Sequence, residues 1–181
     1  ALPPGSPEKI GEAEALRRVE QALIDSIDVH QRSDVPYGMF LSGGIDSTAV
    51  LAMMARLNDK PVRAFTLGFS DTAAADERSN AAAIAKALGA EHIEVDFTEK
   101  DFWSTVPLVT RAMDDPVADY AELPTYKLAA TACNDLKVVL CGEGGDELFG
   151  GYGRYRSAIR PWWSYRRAMR SRGALDGLNI L

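Results

Sequence analysis

Cysteine and histidine are scarce in this chain. Its 181 residues include two cysteines, Cys133 and Cys141, and two histidines, His30 and His92. Two cysteines make no disulfide framework, so a reducing compartment, the cytoplasm, is the expected setting. The histidines lack the spacing of metal ligands, and neither is taken as one. No apolar run is long enough to span a bilayer, and no basic leader followed by an apolar stretch opens the chain, so no membrane partner is expected. Internal repeats and low-complexity tracts are also missing. Basic residues are the minority, 20 Lys and Arg against 26 Asp and Glu. The resulting net charge of −6 argues against general nucleic-acid binding.

What remains is the composition of a soluble globular domain of ordinary size, with 46% hydrophobic and 25% charged residues. Residues 1–7, with three prolines, a glycine and a serine, read as a linker. From Glu8 to about Val29, Ile10, Leu16, Val19, Leu23, Ile24 and Ile27 recur at helical spacing, predicting an amphipathic helix with one face on the core. Strands are predicted over 35–41, 62–69, 91–97 and 137–141, the last as a buried strand. Helices are expected over 47–57, 76–88 with Gly89 as C-cap, about 98–113, and 125–134, with a loop over 114–123. Strands alternating with helices imply βαβ units, hence a three-layer α/β/α fold with a mainly parallel sheet. Ligands in such sheets bind beyond the carboxyl ends of the strands.

Two loops at such ends carry chemistry. The first, Phe40-Leu41-Ser42-Gly43-Gly44-Ile45-Asp46-Ser47, turns a strand into a helix and so presents free N–H groups at a helix N-terminus. Gly43 and Gly44 let backbone approach a phosphate closely, and Ser42 and Ser47 add hydroxyl donors. A carboxylate at Asp46 would repel phosphate oxygens unless a hard cation lay between, which implies Mg²⁺. On spacing alone, a glycine turn capped by Ser and Asp explains the string equally well. The Gly-Lys-Ser/Thr ending of a Walker A loop is absent. The second loop, Cys141 to Tyr152, holds five glycines and three carboxylates within 142–152. If its strand neighbours the first, Asp46 and Asp146 are candidate Mg²⁺ ligands and Glu143 a candidate for proton transfer or for holding an attacking amine. Taken alone, it could equally cap the next helix.

Ser-Gly-Gly-Ile-Asp-Ser at 42–47 resembles the pyrophosphate loop of the N-type ATP pyrophosphatases. Together with Gly-Glu-Gly-Gly-Asp-Glu-Leu-Phe-Gly-Gly-Tyr at 142–152, it resembles the synthetase domain of glutamine-hydrolysing asparagine synthetases. Val35-Pro-Tyr-Gly, Phe65-Thr-Leu-Gly-Phe and Leu123-Pro-Thr-Tyr fit as well, so the likeness covers roughly residues 10 to 155. It implies a ligase. The side-chain carboxylate of L-aspartate attacks the ATP α-phosphate, giving β-aspartyl-AMP and pyrophosphate, and ammonia then displaces AMP to give asparagine. Carried over by position, Ser42, Gly43, Gly44 and Ser47 hold pyrophosphate, Asp46 and Asp146 bind Mg²⁺, and backbone around Leu41, Leu67 and Gly142 contacts the adenosine. Glu143 is the catalytic glutamate, with Asp46 beside it in the catalytic set.

The likeness also implies a piece of a larger synthetase, with 8–160 as the ATP pyrophosphatase domain and 161–181 as the basic, aromatic start of a further helical region. A glutaminase domain with its N-terminal cysteine, and a catalytic lysine beyond Leu181, belong to the family pattern. The piece alone is not expected to be active. Oligomeric state is not readable, a homodimer being left open. Asp114, Asp115 and Asp119 read as solvated turn residues rather than acceptor ligands. The seven arginines and no acids from Arg154 to Arg172, interleaved with Tyr155, Trp162, Trp163 and Tyr165, read as a helical segment packing its aromatics on a further C-terminal region or a partner, with Arg outside, rather than as a nucleic-acid surface. Cys141 is expected to be buried and inert. Alternatives of other kinds are a β-lactam-synthetase-like or other carboxylate-adenylating enzyme, a non-catalytic ATP-binding module, and a tRNA sulfurtransferase or thiolase. The module has no need of Glu143 and Asp146, and the last requires paired reactive cysteines or an RNA-binding region.

Overall fold

The computed structural model describes residues 8–70, 76–114, 119, 121–153 and 155. The chain divides into two units, 1–142 and 143–181. In the first, β1 (Tyr37–Phe40), β2 (Arg63–Phe69), β3 (Glu91–Phe97) and β4 (Val138–Leu140) form one sheet in the order β3-β2-β1-β4. All pairings are parallel, with Met39 opposite Ala64, Tyr37 opposite Val138 and Phe65 opposite Ile93. Helix α1 (Glu12–His30) precedes β1, and between the strands run α2 (Ile45–Leu57), α3 (Arg78–Ala87), and α4 (Glu99–Ala112) with α5 (Glu122–Ala132).

Alternation of side chains along the strands builds two cores, because successive residues of a strand face opposite sides. Met39 and Leu41 of the β1 segment, with Val62 and Ala64 from β2, pack on Ile27 of α1, Leu51 and Met54 of α2, and Ala81 and Ala85 of α3. On the other face Phe65 and Val95 meet Ala132 and Leu136, next to Leu128 of α5. Helix α4 packs on α5. The three-layer α/β/α arrangement read from the sequence is therefore present. Local signals work as expected: Thr98 and Asp101 form a reciprocal capping box at the start of α4. Helix α3 closes on Gly89 with Ala90 N–H bonded to Ala85 O at 2.9 Å, a Schellman ending.

Four expectations change. Helix α1 reaches the core only through its last turns: Ile27 is buried, but Leu16 is 63% exposed and Ile10 and Val19 are also exposed. The 19-residue helix packs on α2, and among the described residues its first half is not covered. Helix α5 starts at Glu122, three residues early, because Pro124 sits in the first turn, where a missing N–H costs nothing. Strand β4 is shorter than expected and is the end strand of the sheet among the described residues, with Val139 37% exposed rather than buried. Cys141, just beyond it, is exposed, as is Cys133. The linker at 1–7, Asp115 and the 161–181 segment with Trp162, Trp163 and Tyr165 lie outside the described residues.

Candidate functional site

The strand order reverses at β1: the chain steps outward through β2 and β3, then returns to place β4 on the other side of β1. At such a point the loops leaving two adjacent strands diverge and open a crevice at their carboxyl ends. Both loops singled out in the sequence leave here, one after β1 and the other after β4.

The first turns through Gly43 at φ +78°, a left-handed conformation that side chains rarely adopt, and enters α2 at Gly44. Gly44 supplies no side-chain cap, and the first helical bond runs from Thr48 N–H to Gly44 O at 3.0 Å. The N–H groups of Ile45, Asp46 and Ser47 thus have no acceptor within the helix, and they stand at the positive end of its dipole. Around them the hydroxyls form a compact set. Ser42 Oγ and Ser47 Oγ are 3.1 Å apart, Gly44 N–H donates to Ser42 Oγ at 3.2 Å, and Ser47 Oγ donates to Gly44 O at 3.2 Å. Ser47 is buried, whereas Ser42, Gly44 and Ile45 are exposed. Asp46 stands in the first turn of α2, where its carboxylate also suits the helix dipole.

Three neighbours hold this loop. Behind it, the buried Thr66 hydroxyl donates to the Leu41 carbonyl at 2.7 Å, at the point where β1 leaves the ladder. His92 Nε2 lies 2.9 Å from the same hydroxyl. The hydroxyl has one proton, already given to Leu41, so Nε2 must carry its own proton and donate. On the α3 side, Asn80 Nδ2 donates to Gly43 O at 2.9 Å. The start of α3 is pinned in turn by Arg78, which bonds Asp76 at 2.5 Å, pairs with Asp96 at 3.4 Å and lies over Gly68. The Arg78 side chain and backbone N–H hold the Asp76 carboxyl below its usual range. On the β4 side Gly142 comes so close that a Cβ there would stand 2.6 Å from Ser47 N and 3.0 Å from the Asp46 carbonyl carbon. The two strand ends thus meet backbone to backbone.

Of the sequence-predicted residues, Leu41, Ser42, Gly43, Gly44, Asp46, Ser47 and Gly142 gather here, and Leu67 lies half-buried on β2 near its carboxyl end. Glu143 and Asp146 belong to the second unit. Within it, Gly145–Phe149 forms a short helix, α6; Glu143 is exposed, and the Asp146 carboxylate lies against Gly151. Among the described residues, no three His, Cys, Asp or Glu side chains gather as a metal site. Asp119 Oδ1 accepts from Ala121 N–H at 2.9 Å, as a turn residue does. A cavity of about 620 Å³ lined by Tyr37, Asn58, Lys60 and Arg63 lies at the amino ends of β1 and β2. That is the opposite edge of the sheet from the N–H donors. Sequence reasoning missed Asn80, Thr66 and His92. The one signal for Asn80 was a polar residue in the first turn of an alanine-rich helix, and the pairing of Thr66 with His92 follows only from strand register.

The family described as asparagine synthase matches residues 18–178. A protein of Mycobacterium tuberculosis (strain ATCC 25618 / H37Rv) is 43% identical over 146 residues, which is 80% of this chain and 22% of that protein. The Bacillus subtilis (strain 168) asparagine synthetase [glutamine-hydrolyzing] 1 is 38% identical over 153 residues, 84% of this chain and 24% of its own length. The chain thus spans about a quarter of the length of these relatives. Among solved structures, the NH3-dependent NAD synthetase from Campylobacter jejuni aligns at a TM-score of 0.49 and 18% identity, covering 76% of this chain and 60% of that one. No described helix is long and apolar enough to cross a membrane.

Proposed function

Because the chain belongs to the asparagine synthase family, we propose that it is the nucleotide-binding, carboxylate-activating part of an ATP-dependent amide synthetase acting in the cytoplasm. The observation that carries this reading is the meeting of the Ser42–Ser47 loop and Gly142 at the switch point of the sheet. A set of N–H donors without helical acceptors there suits the β- and γ-phosphates of ATP, and the lack of a Cβ at Gly142 lets the end of β4 close against the start of α2.

In the proposed reaction L-aspartate attacks the α-phosphate through its side-chain carboxylate, pyrophosphate leaves, and ammonia displaces AMP to give asparagine. Ser42, Gly43, Gly44 and Ser47 hold the departing pyrophosphate, so charge developing on it meets fixed dipoles. Backbone at Leu41, Leu67 and Gly142 orients the adenosine, and Glu143 receives a proton from the attacking amine. Asp46 and Asp146 would hold Mg²⁺; one or two carboxylates plus phosphates suit its preference for hard oxygen donors. When bound, it would neutralise phosphate charge. The ammonia comes from a glutamine-hydrolysing domain outside these residues. Residues 8–160 make up the synthetase domain, and the basic segment 161–181 begins a further region.

The test is pyrophosphate release from MgATP by the full-length protein, with L-aspartate and a panel of other carboxylates, with and without ammonia. Aspartate-dependent release with asparagine as product supports the assignment. Release with a different acid replaces the acceptor, and no release with any acid overturns the reading.

A further inference from the structure

We propose that Asn80 is a positioning residue that prevents the Gly43–Gly44 peptide from turning over. The proposal rests on the anion-site reading above. The Gly43–Gly44 peptide is trans, so its C=O and N–H point in opposite directions. Asn80 Nδ2 holds the Gly43 oxygen on the α3 side at 2.9 Å. The Gly44 N–H is thereby directed to the other side of the loop, where it donates to Ser42 Oγ at 3.2 Å among the hydroxyl donors. If this peptide turned over, a carbonyl oxygen would replace an N–H in an anion site, and one attractive dipole would become a repulsive one.

Apart from the Gly44 N–H bond to Ser42 Oγ, which the flip would also break, the stereochemistry of the dipeptide offers no resistance. Turning the plane changes ψ of residue 43 and φ of residue 44, and glycine accepts positive φ at both. Packing contributes to the lock from the same direction. The Asn80 side chain fills the place where a Cβ on Gly43 would stand, at 2.9 Å from Nδ2, and Ala81 N is next at 3.3 Å. The donor is itself fixed, because Arg78 anchors the first turn of α3 through Asp76 and Asp96. The chain thus supports a conformationally permissive Gly-Gly turn from a neighbouring helix.

The test uses the full-length protein and its Asn80→Ala, Asn80→Asp and Asn80→Gln variants. Binding of MgATP, magnesium pyrophosphate and adenosine is measured by calorimetry or competition, and Tm by thermal unfolding. Asn80→Ala should weaken MgATP and pyrophosphate by the same factor, about five- to tenfold, while adenosine affinity stays within about twofold. Asn80→Asp loses the donor and adds an anion, so its loss should exceed that of Asn80→Ala. Asn80→Gln keeps an amide donor at an exposed position and should recover most of the affinity. Equal affinity of wild type and Asn80→Ala for pyrophosphate overturns the proposal. So does a parallel loss for adenosine, which marks a general structural defect. A wild-type protein that binds neither MgATP nor pyrophosphate overturns instead the anion-site reading on which the proposal stands.

Discussion

Replacing Gly142 with alanine tests whether the two strand-end loops form one site. The added carbon would stand 2.6 Å from Ser47 N, 3.0 Å from the Asp46 carbonyl carbon and 3.1 Å from Asp46 Cβ. Two of those atoms are backbone in the first turn of α2, so no side chain can swing away to relieve the overlap. Either β4 retreats from β1 or the start of α2 moves. Overpacking of this kind costs about 1–3 kcal/mol. For a domain of this size each kcal/mol lowers Tm by about 2–4 °C. A displaced α2 also carries its N–H donors out of place, so MgATP affinity should fall by about tenfold or more, equivalent to 1.4 kcal/mol. The assay pairs thermal unfolding with MgATP titration of the full-length protein. Gly11→Ala serves as the control, because a Cβ at Gly11 meets nothing within 4 Å. A Gly142→Ala variant with wild-type Tm and wild-type MgATP affinity would refute the convergence.

Thr66→Val strips the Leu41 carbonyl and His92 Nε2–H of their shared partner in a buried place; the expected loss is about 1–3 kcal/mol of stability. Thr66→Ser should restore most of it, and a valine variant as stable as wild type in urea melts would contradict the relay. Asp101 has its pKa lowered to about 2, first by Lys127 at 2.5 Å and then by Thr98. A depressed carboxylate stabilises the fold above its unfolded pKa, so this contribution is complete above about pH 4 and lost as pH falls towards 2. With side chains 32% and 24% exposed, it amounts to about 1–2 kcal/mol at pH 7. Lys127→Met should therefore lower Tm at pH 7 and have a shrinking effect below pH 4; a constant difference down to pH 2 would count against the pair. Finally, Asp46→Asn should lose MgATP binding, and Glu143→Gln should keep binding while losing product. Unchanged MgATP affinity in Asp46→Asn would remove Asp46 from the metal assignment.

Much of this was legible from the residues because it depends on short-range chemistry. The 91–97 strand and the Thr98–Asp101 cap were readable from alternation and capping chemistry, and the Ser-Gly-Gly turn from its glycines. Where expectation and structure part, the deciding factor is tertiary. The apolar stripe of α1 has helical period along its whole length, yet periodicity does not reveal that Leu16 is left exposed while Ile27 is buried. A valine-rich run such as Lys-Val-Val-Leu-Cys has the composition of a central strand, and only the strand order makes it the end strand among the described residues. The Thr66–His92–Leu41 chain joins residues from three segments, and Asn80 reaches a glycine 37 positions earlier. No local pattern announces such pairs.

The pairing of β1 with β4 has a consequence for the order in which the molecule is made. Tyr37 and Val138 are partners although roughly a hundred residues separate them, and contacts of such high sequence separation form late. The fully buried members of the α1–α2–α3 core all lie at or before Ala85, and Leu88, Ala90 and, from β4, Leu140 pack against them. A growing chain therefore has one side of β1 still open until β4 emerges. During that interval the free edge is where the nascent protein can join a second chain by mistake, and Gly142 reaches Ser47 only once it closes. Capacity to bind phosphate should consequently appear after most of the helical signal when refolding is followed by both probes.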